Sequence, residues 1–268
     1  MRSDFIGNCE AFLGWPEAVS GSQFLVPRLD REQMKEAILR PGEVKIGAFQ
    51  PFGFQQDLVN RIVNDAGDRQ DQLPMMQHAL MRTWKRAAIQ SEKDGKLTLT
   101  LEDYQQVGGI EEALSKHADE AWDKIKADSK NAQIARRLFL LLCDVSPDGQ
   151  ITRRRPQVEE VMAVTSASAI EVEKVMREFQ ADDRNFLLPL LPPDGRLTQD
   201  KYLDVSHEAL LRRWHLFSQW LRDEREAAAE LLRLVDRMKG GALLQAKELD
   251  RITRWQQENS PSPQWAKR

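Results

Sequence analysis

The sequence predicts a mainly α-helical protein in two parts: a bundle of short helices, then three helices, a small β-hairpin and a further helix. Two observations predict this order. From residue 55 onward, apolar residues recur every three or four positions, which is the spacing of one helical face. After residue 180 the period changes, and two apolar segments flank a turn-forming stretch.

Length and composition indicate a soluble globular chain. The 268 residues carry a net charge of -3, with 41% hydrophobic and 30% charged residues, which suits about two domains. The near balance of charge argues against general binding to polyanions. Only Cys9 and Cys143 occur, so neither a disulfide framework nor a paired metal motif is expected, and a cytoplasmic location fits best. No apolar run predicts a membrane span or a signal peptide.

The first 50 residues contain few helix signals. Glycines and prolines interrupt residues 1–50 and leave room for one helix, from Asp30 through Leu39. From Gln55 to Ile89 the apolar spacing is helical. Pro74 is tolerated there because a proline in the first turn costs no helical hydrogen bond.

The stretch LTLEDYQQVGGIEEAL, residues 99–114, contains the signals that start and end helices. Thr100 and Asp103 have the spacing of a capping box, which predicts a helix start. The pair Gly108-Gly109 ends that helix, and another is expected to begin near Ile110.

The second half predicts three helices and a hairpin. The helices run from about Asn131 to Leu142, from Pro156 after an SPDG turn, and from about Ser168 to Phe179. NFLLPLL and KYLDVS then flank the turn-forming PPDGR.

One long helix is expected next, and it completes the order. Its apolar face is Leu210, Trp214, Phe217 and Leu221, and it is predicted to continue to about Met238. Three helices, a hairpin and a further helix are the element order of a winged helix. The tail ENSPSPQWAKR has the composition of a linker.

A winged helix suggests DNA binding, but the charge of its third helix argues against it. In helix-turn-helix proteins the second helix of the motif enters the major groove, where phosphates require positive charge. Here SAIEVEKVMREFQ has three glutamates against one lysine and one arginine. The basic run at Arg153 to Arg155 is interpreted as a solvated turn. Nucleic-acid binding is therefore not expected.

Signatures of common enzymes are missing from the sequence. After His207 and Glu208, Leu211 stands where a zincin needs its second histidine. Ser206 lacks the Gly-x-Ser-x-Gly context of a nucleophile elbow. Gly95-Lys96 is followed by Leu97 and has no upstream glycine to shape a phosphate loop. We therefore expect no nucleotide hydrolysis by the P-loop route in this chain.

Several sequence blocks together resemble a known family. They are MRSDF, LVPRLDREQMKEAI, DQLPMMQHALMRTW, LTLEDYQQVGGIEEALSKHADEAW and DVSHEALLRRW, in this order. They are similar to the STAND NTPases, specifically the bacterial group of novel STAND NTPases. The resemblance covers nearly the whole chain. It implies a signal-transduction switch that is held closed by ADP and opened by nucleotide exchange and assembly.

The resemblance also implies a domain order. Residues 1–50 correspond to the end of a P-loop nucleotide-binding domain, 51–129 to a helical lid of the AAA+ kind, 130–225 to a winged-helix domain, and 226–268 to a C-terminal helix and linker. The chain is thus expected to be part of a larger protein. That parent would bind ADP or ATP with Mg²⁺, whereas this chain alone would hold no cofactor.

The implied partners lie on both sides of the chain. They are an upstream P-loop domain and downstream sensor repeats of the WD-repeat type, with homo-oligomers forming on activation. Nucleic acid and membrane are not expected as partners.

Three residues match nucleotide-binding positions of the family. Arg2, in MRSDF, resembles a sensor arginine that reports on the terminal phosphate. Pro74, in QLPMM, resembles the lid proline that packs near the adenine; an ordinary first-turn proline is an equal alternative. His207, in DVSHEALLRRW, resembles the winged-helix histidine that contacts the phosphates of ADP.

Local chemistry suits His207 for that role. If Ser206 caps the helix, His207 and Glu208 occupy its first turn, where backbone N–H groups and the helix dipole favour a phosphate. Glu208 would repel an anion and is expected to point away. The plain alternative is a surface histidine beside a helix cap.

Two other functions remain as alternatives to the regulatory switch. One is a DNA-binding winged helix, which would require a basic third helix and salt-sensitive binding to duplex DNA. The other is a truncated interaction module that recruits a partner protein.

Overall fold

The computed structural model describes residues 12–22, 27–44, 51–67, 72–94, 97–146, 150–182, 184–239 and 246–259. These residues form twelve α-helices and six short β-strands, so the predicted mainly α-helical class is confirmed. In these ranges no helix has the length and apolar character needed to cross a membrane.

The first part is a helical bundle with one small parallel ladder. Its elements are α1 (Trp15–Ser22), α2 (Arg31–Glu43), β1 (Gly53–Phe54), α3 (Gln56–Ala66), α4 (Gln72–Asp94), β2 (Thr98–Leu99), α5 (Leu101–Gln106) and α6 (Gly109–Ile125). β1 pairs with β2 in parallel, with Gly53 opposite Thr98. The apolar faces of α3, α4 and α6 meet in a common core that includes Leu58, Ile62 and Ala118.

The predicted start and end signals act as expected between α5 and α6. Thr100 and Asp103 form a reciprocal capping box at the start of α5. Gly108 and Gly109 then have φ values of 95° and 60°, a region that favours glycine because a side chain there meets the backbone. A Cβ on Gly108 would also lie 2.6 Å from the Cβ of Glu112.

The second part contains α7 (Ser129–Leu141), β3 (Cys143–Val145), β4 (Ile151–Arg153), α8 (Val158–Thr165) and α9 (Ala169–Gln180). It continues with β5 (Leu187–Leu188), β6 (Asp204–Val205), α10 (Ala209–Arg213), α11 (His215–Lys239) and α12 (Ala246–Asn259). The predicted hairpin is present, since β5 pairs antiparallel with β6. Ser168 caps α9 through a capping box with Glu171.

Three sequence predictions about elements are wrong in detail. Residues 1–50 contain α1 as well as α2, and α2 runs through Pro41 to Glu43. The predicted SPDG turn lies between β3 and β4, two strands that the sequence did not predict, and its last three residues lie outside the described residues. Pro156 does not open α8, which begins at Val158. Part of the predicted linker, Glu258 and Asn259, belongs to α12, and its remaining residues lie outside the described ranges.

The predicted long helix is in fact two helices separated at Trp214. Trp214 adopts φ -75° and ψ 111°, an extended conformation that interrupts the helical ladder. Two hydrogen bonds to α6 compensate for the interruption. Trp214 Nε1 donates to Asp119 Oδ1 at 2.7 Å, and the His215 N–H donates to Ser115 Oγ at 3.2 Å. The break therefore anchors α10 and α11 to the helical bundle.

An aromatic cluster fills the space behind this anchor. The fully buried Trp214 ring meets Phe139 and Trp220 edge-on, with centroids 4.9 and 5.0 Å apart. Phe179 and Phe217 complete the cluster. α6 also packs against α4 and α9. α6 therefore holds the segment around His207 in a fixed position relative to α4.

Candidate functional site

Pro74 and His207, far apart in the sequence, line the same cleft. The cleft has a volume of about 260 Å³ and lies between α4, α6, the segment before β5 and the segment before α10. Pro74 is the third residue of α4 and so lies in its first turn, as predicted. Arg2 lies outside the described residues.

Apolar side chains line part of the cleft. They come from α4, α6, α10 and the segment before β5, and include Pro74, Met75, Met81, Leu114, Phe186 and Leu210. Flexible methionines and an aromatic ring make a surface that can adapt to a flat apolar group. These side chains suit a ring such as a nucleobase.

The polar groups that the described residues contribute to the cleft carry no negative charge. They are contributed by Gln77, His78, Arg184, Ser206 and His207. Among the described residues that line the cleft none is acidic, and Arg184 is its permanently charged cation. The cleft is therefore electrostatically suited to an anion rather than to a metal ion.

The side chain of His207 is held by its own backbone. Its Nδ1 accepts a hydrogen bond from the Ala209 N–H at 3.0 Å. In the neutral imidazole this leaves Nε2 as the nitrogen that carries the proton. The His207 ring therefore has a fixed orientation.

The predicted capping arrangement around His207 is wrong. The residue at the start of α10 is Glu208, without a side-chain cap, and the Ser206 N–H donates instead to Phe186 O at 3.0 Å. The N–H groups of Leu210 and Leu211 bond to the carbonyls of His207 and Glu208. Since α10 has only five residues and these donors are engaged, the first-turn argument for phosphate binding does not hold.

Glu208 is turned toward its own helix. Its Oε2 lies 3.2 Å from Arg212 Nη1, one turn later in the sequence. The carboxylate that would oppose an anion is thus paired locally.

A pair of histidines, the half-buried His78 and the buried His117, lies at the cleft. His78, four residues after Pro74 on α4, contacts His117 of α6, with His78 Nε2 3.3 Å from His117 Nδ1. The Phe186 ring packs on both imidazoles, with centroids 6.0 and 5.2 Å away. Burial, helped by the positive charge of Arg82, lowers the pKa of His78 to about 4 and that of His117 to about 2. Both imidazoles are neutral at pH 7.

The free energy of unfolding is expected to fall as the pH drops from 6.5 toward 4. In this window unfolded histidines bind protons, whereas His78 and His117 stay neutral in the folded state, so protons favour unfolding. Each such group contributes at most about 1.4 kcal/mol per pH unit. Urea unfolding at pH 6.5 and 5.0 measures the slope. It should be smaller in His117→Gln, which removes one of the two neutral histidines. Equal slopes in the parent and the variant would contradict the neutral pair.

The basic run at Arg153 to Arg155 is not the solvated turn that the sequence suggested. Arg153 lies in β4 and forms a close ion pair with the buried Asp204, and Arg155 lies 3.1 Å from the same carboxylate. Arg154 Nη2 lies 2.6 Å from Glu160 Oε1. Arg153 and Arg155 thus share one carboxylate, and Arg154 pairs with another.

The structure identifies two cleft residues that the sequence analysis missed. The spacing of His78 from Pro74 was a usable signal, because positions four apart share a helical face. Arg184 gave no such signal, since it follows Asp182 and Asp183 in what the sequence presents as a charged surface loop.

The residues present fit a nucleotide phosphate but not Mg²⁺. Mg²⁺ prefers carboxylate and other oxygen ligands, and the part of the chain that the structure describes contains no group of three histidine, cysteine or acidic residues positioned for a metal ion. A phosphate instead requires N–H donors and positive charge, which the Arg184 and His207 sides of the cleft supply.

Comparison with known proteins gives one match. The family model described as Novel STAND NTPase 1 matches residues 1–240. No curated protein and no solved structure matches the chain. Since the family match covers far more than half of the 268 residues, this chain belongs to the Novel STAND NTPase 1 family.

Proposed function

We propose that this chain is the regulatory lid and winged-helix portion of a nucleotide-dependent signalling switch. It closes over ADP or ATP held by a P-loop domain that is not encoded in these 268 residues. The observation that carries the proposal is that Pro74 and His207 line the same cleft.

Apolar and polar residues of the cleft contact different parts of the nucleotide. Pro74 and Met75 offer an apolar surface to the base, while Arg184 and His207 offer N–H donors to the phosphates. A site of this kind recognises both ends of ADP.

The contacts between this chain and the nucleotide can act as a switch because they depend on the conformation of the protein. A ligand shifts an equilibrium between two conformations only by the difference in its affinity for them. Contacts from this chain exist only when the lid and winged helix lie against the P-loop domain. Bound ADP therefore favours the closed, inactive state, and its loss permits opening and assembly.

A binding comparison tests this function against DNA binding. The parent protein, with its P-loop domain, is titrated with ADP and with a DNA duplex at two salt concentrations. We expect saturable ADP binding and no specific duplex binding. Duplex binding that weakens steeply with salt, without ADP binding, would support the DNA-binding alternative and refute the proposal.

The isolated 268-residue chain is expected to show no ATPase activity. Phosphoryl transfer requires a phosphate-loop lysine and a metal-binding acid to position and stabilise the transferred group, and the sequence contains no phosphate-loop motif. The measurement is phosphate release from Mg·ATP after stringent purification. Turnover that persists, and that disappears on mutation of a residue in this chain, would contradict the expectation.

A further inference from the structure

The loop between α9 and β5 brings one arginine into the cleft. Arg184 lines the cleft and its side chain is only 2% exposed. A buried guanidinium is costly unless its N–H groups are paired and its charge is compensated. The groups around Arg184 therefore indicate its function.

Two of the three guanidinium nitrogens have protein partners. Nε donates to Glu178 O at 3.0 Å, and Nη2 donates to Asp182 Oδ2 at 3.0 Å. For Nη1, no partner is found among the residues that the structure describes. The bonds of Nε and Nη2 thus orient the arginine.

Asp182 is itself fastened to the helical bundle. Lys124 Nζ of α6 donates to Asp182 Oδ2 at 2.7 Å, and Lys85 Nζ of α4 donates to the Asp182 carbonyl at 3.3 Å. These contacts hold the loop, and with it Arg184, against both helices that border the cleft. The position of Arg184 is therefore set before a ligand arrives, which lowers the entropy cost of binding.

Arg184 is the charged residue among those that line the described part of the cleft, and no acidic residue lines that part. Its Nη2 pairs with Asp182, whose carboxylate Lys124 also binds. A planar guanidinium matches the oxygens of a phosphate, with which it can form two parallel hydrogen bonds.

We propose that Arg184 is the residue of the cleft that binds the phosphate groups of the nucleotide. Asp182 positions the guanidinium and does not contact the ligand. The identity of the ligand as a nucleotide rests on the proposed function, whereas the affinity of Arg184 for a diphosphate does not.

Inorganic pyrophosphate is the probe that tests this assignment on the chain as it stands. Amide and arginine Nε–H signals of the ¹⁵N-labelled chain are followed during a pyrophosphate titration at constant salt. We expect saturable shifts at residues 184–186 and 206–209 with a millimolar dissociation constant. Arg184→Gln should weaken binding about tenfold or more, which corresponds to about 1.4 kcal/mol. Arg184→Lys should give an intermediate affinity, because the charge is kept and the planar fork is lost.

The control is Arg196→Gln, which removes an arginine whose side chain is 78% exposed and which does not line the cleft. It should bind pyrophosphate like the parent. If the glutamine variant does not fold, the Arg184 Nε–H signal of the parent decides, since it must shift as pyrophosphate saturates the cleft.

Three results would overturn the proposal: no saturable binding by the parent well above the millimolar range, unchanged affinity in a folded Arg184→Gln variant, or an Arg184 signal that does not move. A different result would refute the proposed function. Pyrophosphate binding through Arg184, together with no ADP binding by the parent switch, would refute the nucleotide function and leave the phosphate site in place.

Discussion

Replacing His207 by alanine in the protein that includes its P-loop domain is expected to speed ADP release about tenfold or more. The substitution removes an N–H donor whose orientation is set by the bond from Ala209 N–H to Nδ1. One hydrogen bond to a charged group is worth roughly 1.5 to 3 kcal/mol. Because the contact exists only in the closed state, its loss also raises the oligomer fraction and basal signalling.

His215→Ala is the matched control for this experiment. His215 is also a histidine near the start of a helix, but its side chain is 68% exposed and it does not line the cleft. The neighbouring Arg213 is a poorer control, since it is half-buried. ADP release rate and oligomer fraction are measured for both variants beside the parent. If a folded His207→Ala protein matches the parent in both, His207 is only a residue beside a short helix.

Trp214→Ala is expected to reduce the free energy of unfolding by about 3 to 5 kcal/mol, the range for deleting a large buried aromatic side chain. Trp214 is fully buried and packs edge-on against Phe139 and Trp220. The substitution also leaves Asp119 without its indole donor. Since Trp214 anchors α10 to α6, the loss should also disturb the cleft wall at Leu210.

Urea unfolding of the isolated chain measures this effect. Trp214→Phe keeps most of the aromatic packing and should cost less than the alanine variant. Trp15→Ala, at a tryptophan that is 55% exposed, should change stability by no more than about 0.5 kcal/mol. A Trp214→Ala protein as stable as the Trp15 variant would show that the break between α10 and α11 is not an anchor.

Helix starts with paired side-chain signals were predictable from the sequence. The Thr100 and Asp103 capping box and the Gly108-Gly109 stop involve residues only a few positions apart, so local chemistry determines them. The break at Trp214 was not predictable. Apolar positions 210, 214, 217 and 221 continue a helical period across it, and the bonds that compensate for it come from Ser115 and Asp119 of α6.

Short strands were missed for a related reason. β3 has three residues and follows directly on the apolar end of α7, and a short apolar run fits a strand and a buried helix equally well. Its pairing with β4 depends on a partner after the turn, which periodicity does not report.

The candidate site could be predicted only in part. Pro74 and His207 were singled out by resemblance to the family, and that they share one cleft follows from the packing of α4 and α10 on α6. Arg184 could not be found in this way. The loop that carries it is bound through Asp182 by lysines of α4 and α6, which are distant in the sequence.

Photolabelling with azido-ADP tests most directly whether this cleft receives the nucleotide. The parent protein with its P-loop domain is irradiated with the bound probe, and the labelled peptides are identified by mass spectrometry. The account predicts that labelled peptides include residues 72–82, around Pro74, and that excess ADP removes the label. Label confined to the P-loop domain, in a protein that retains ADP and yields the 72–82 peptide unmodified, would contradict it.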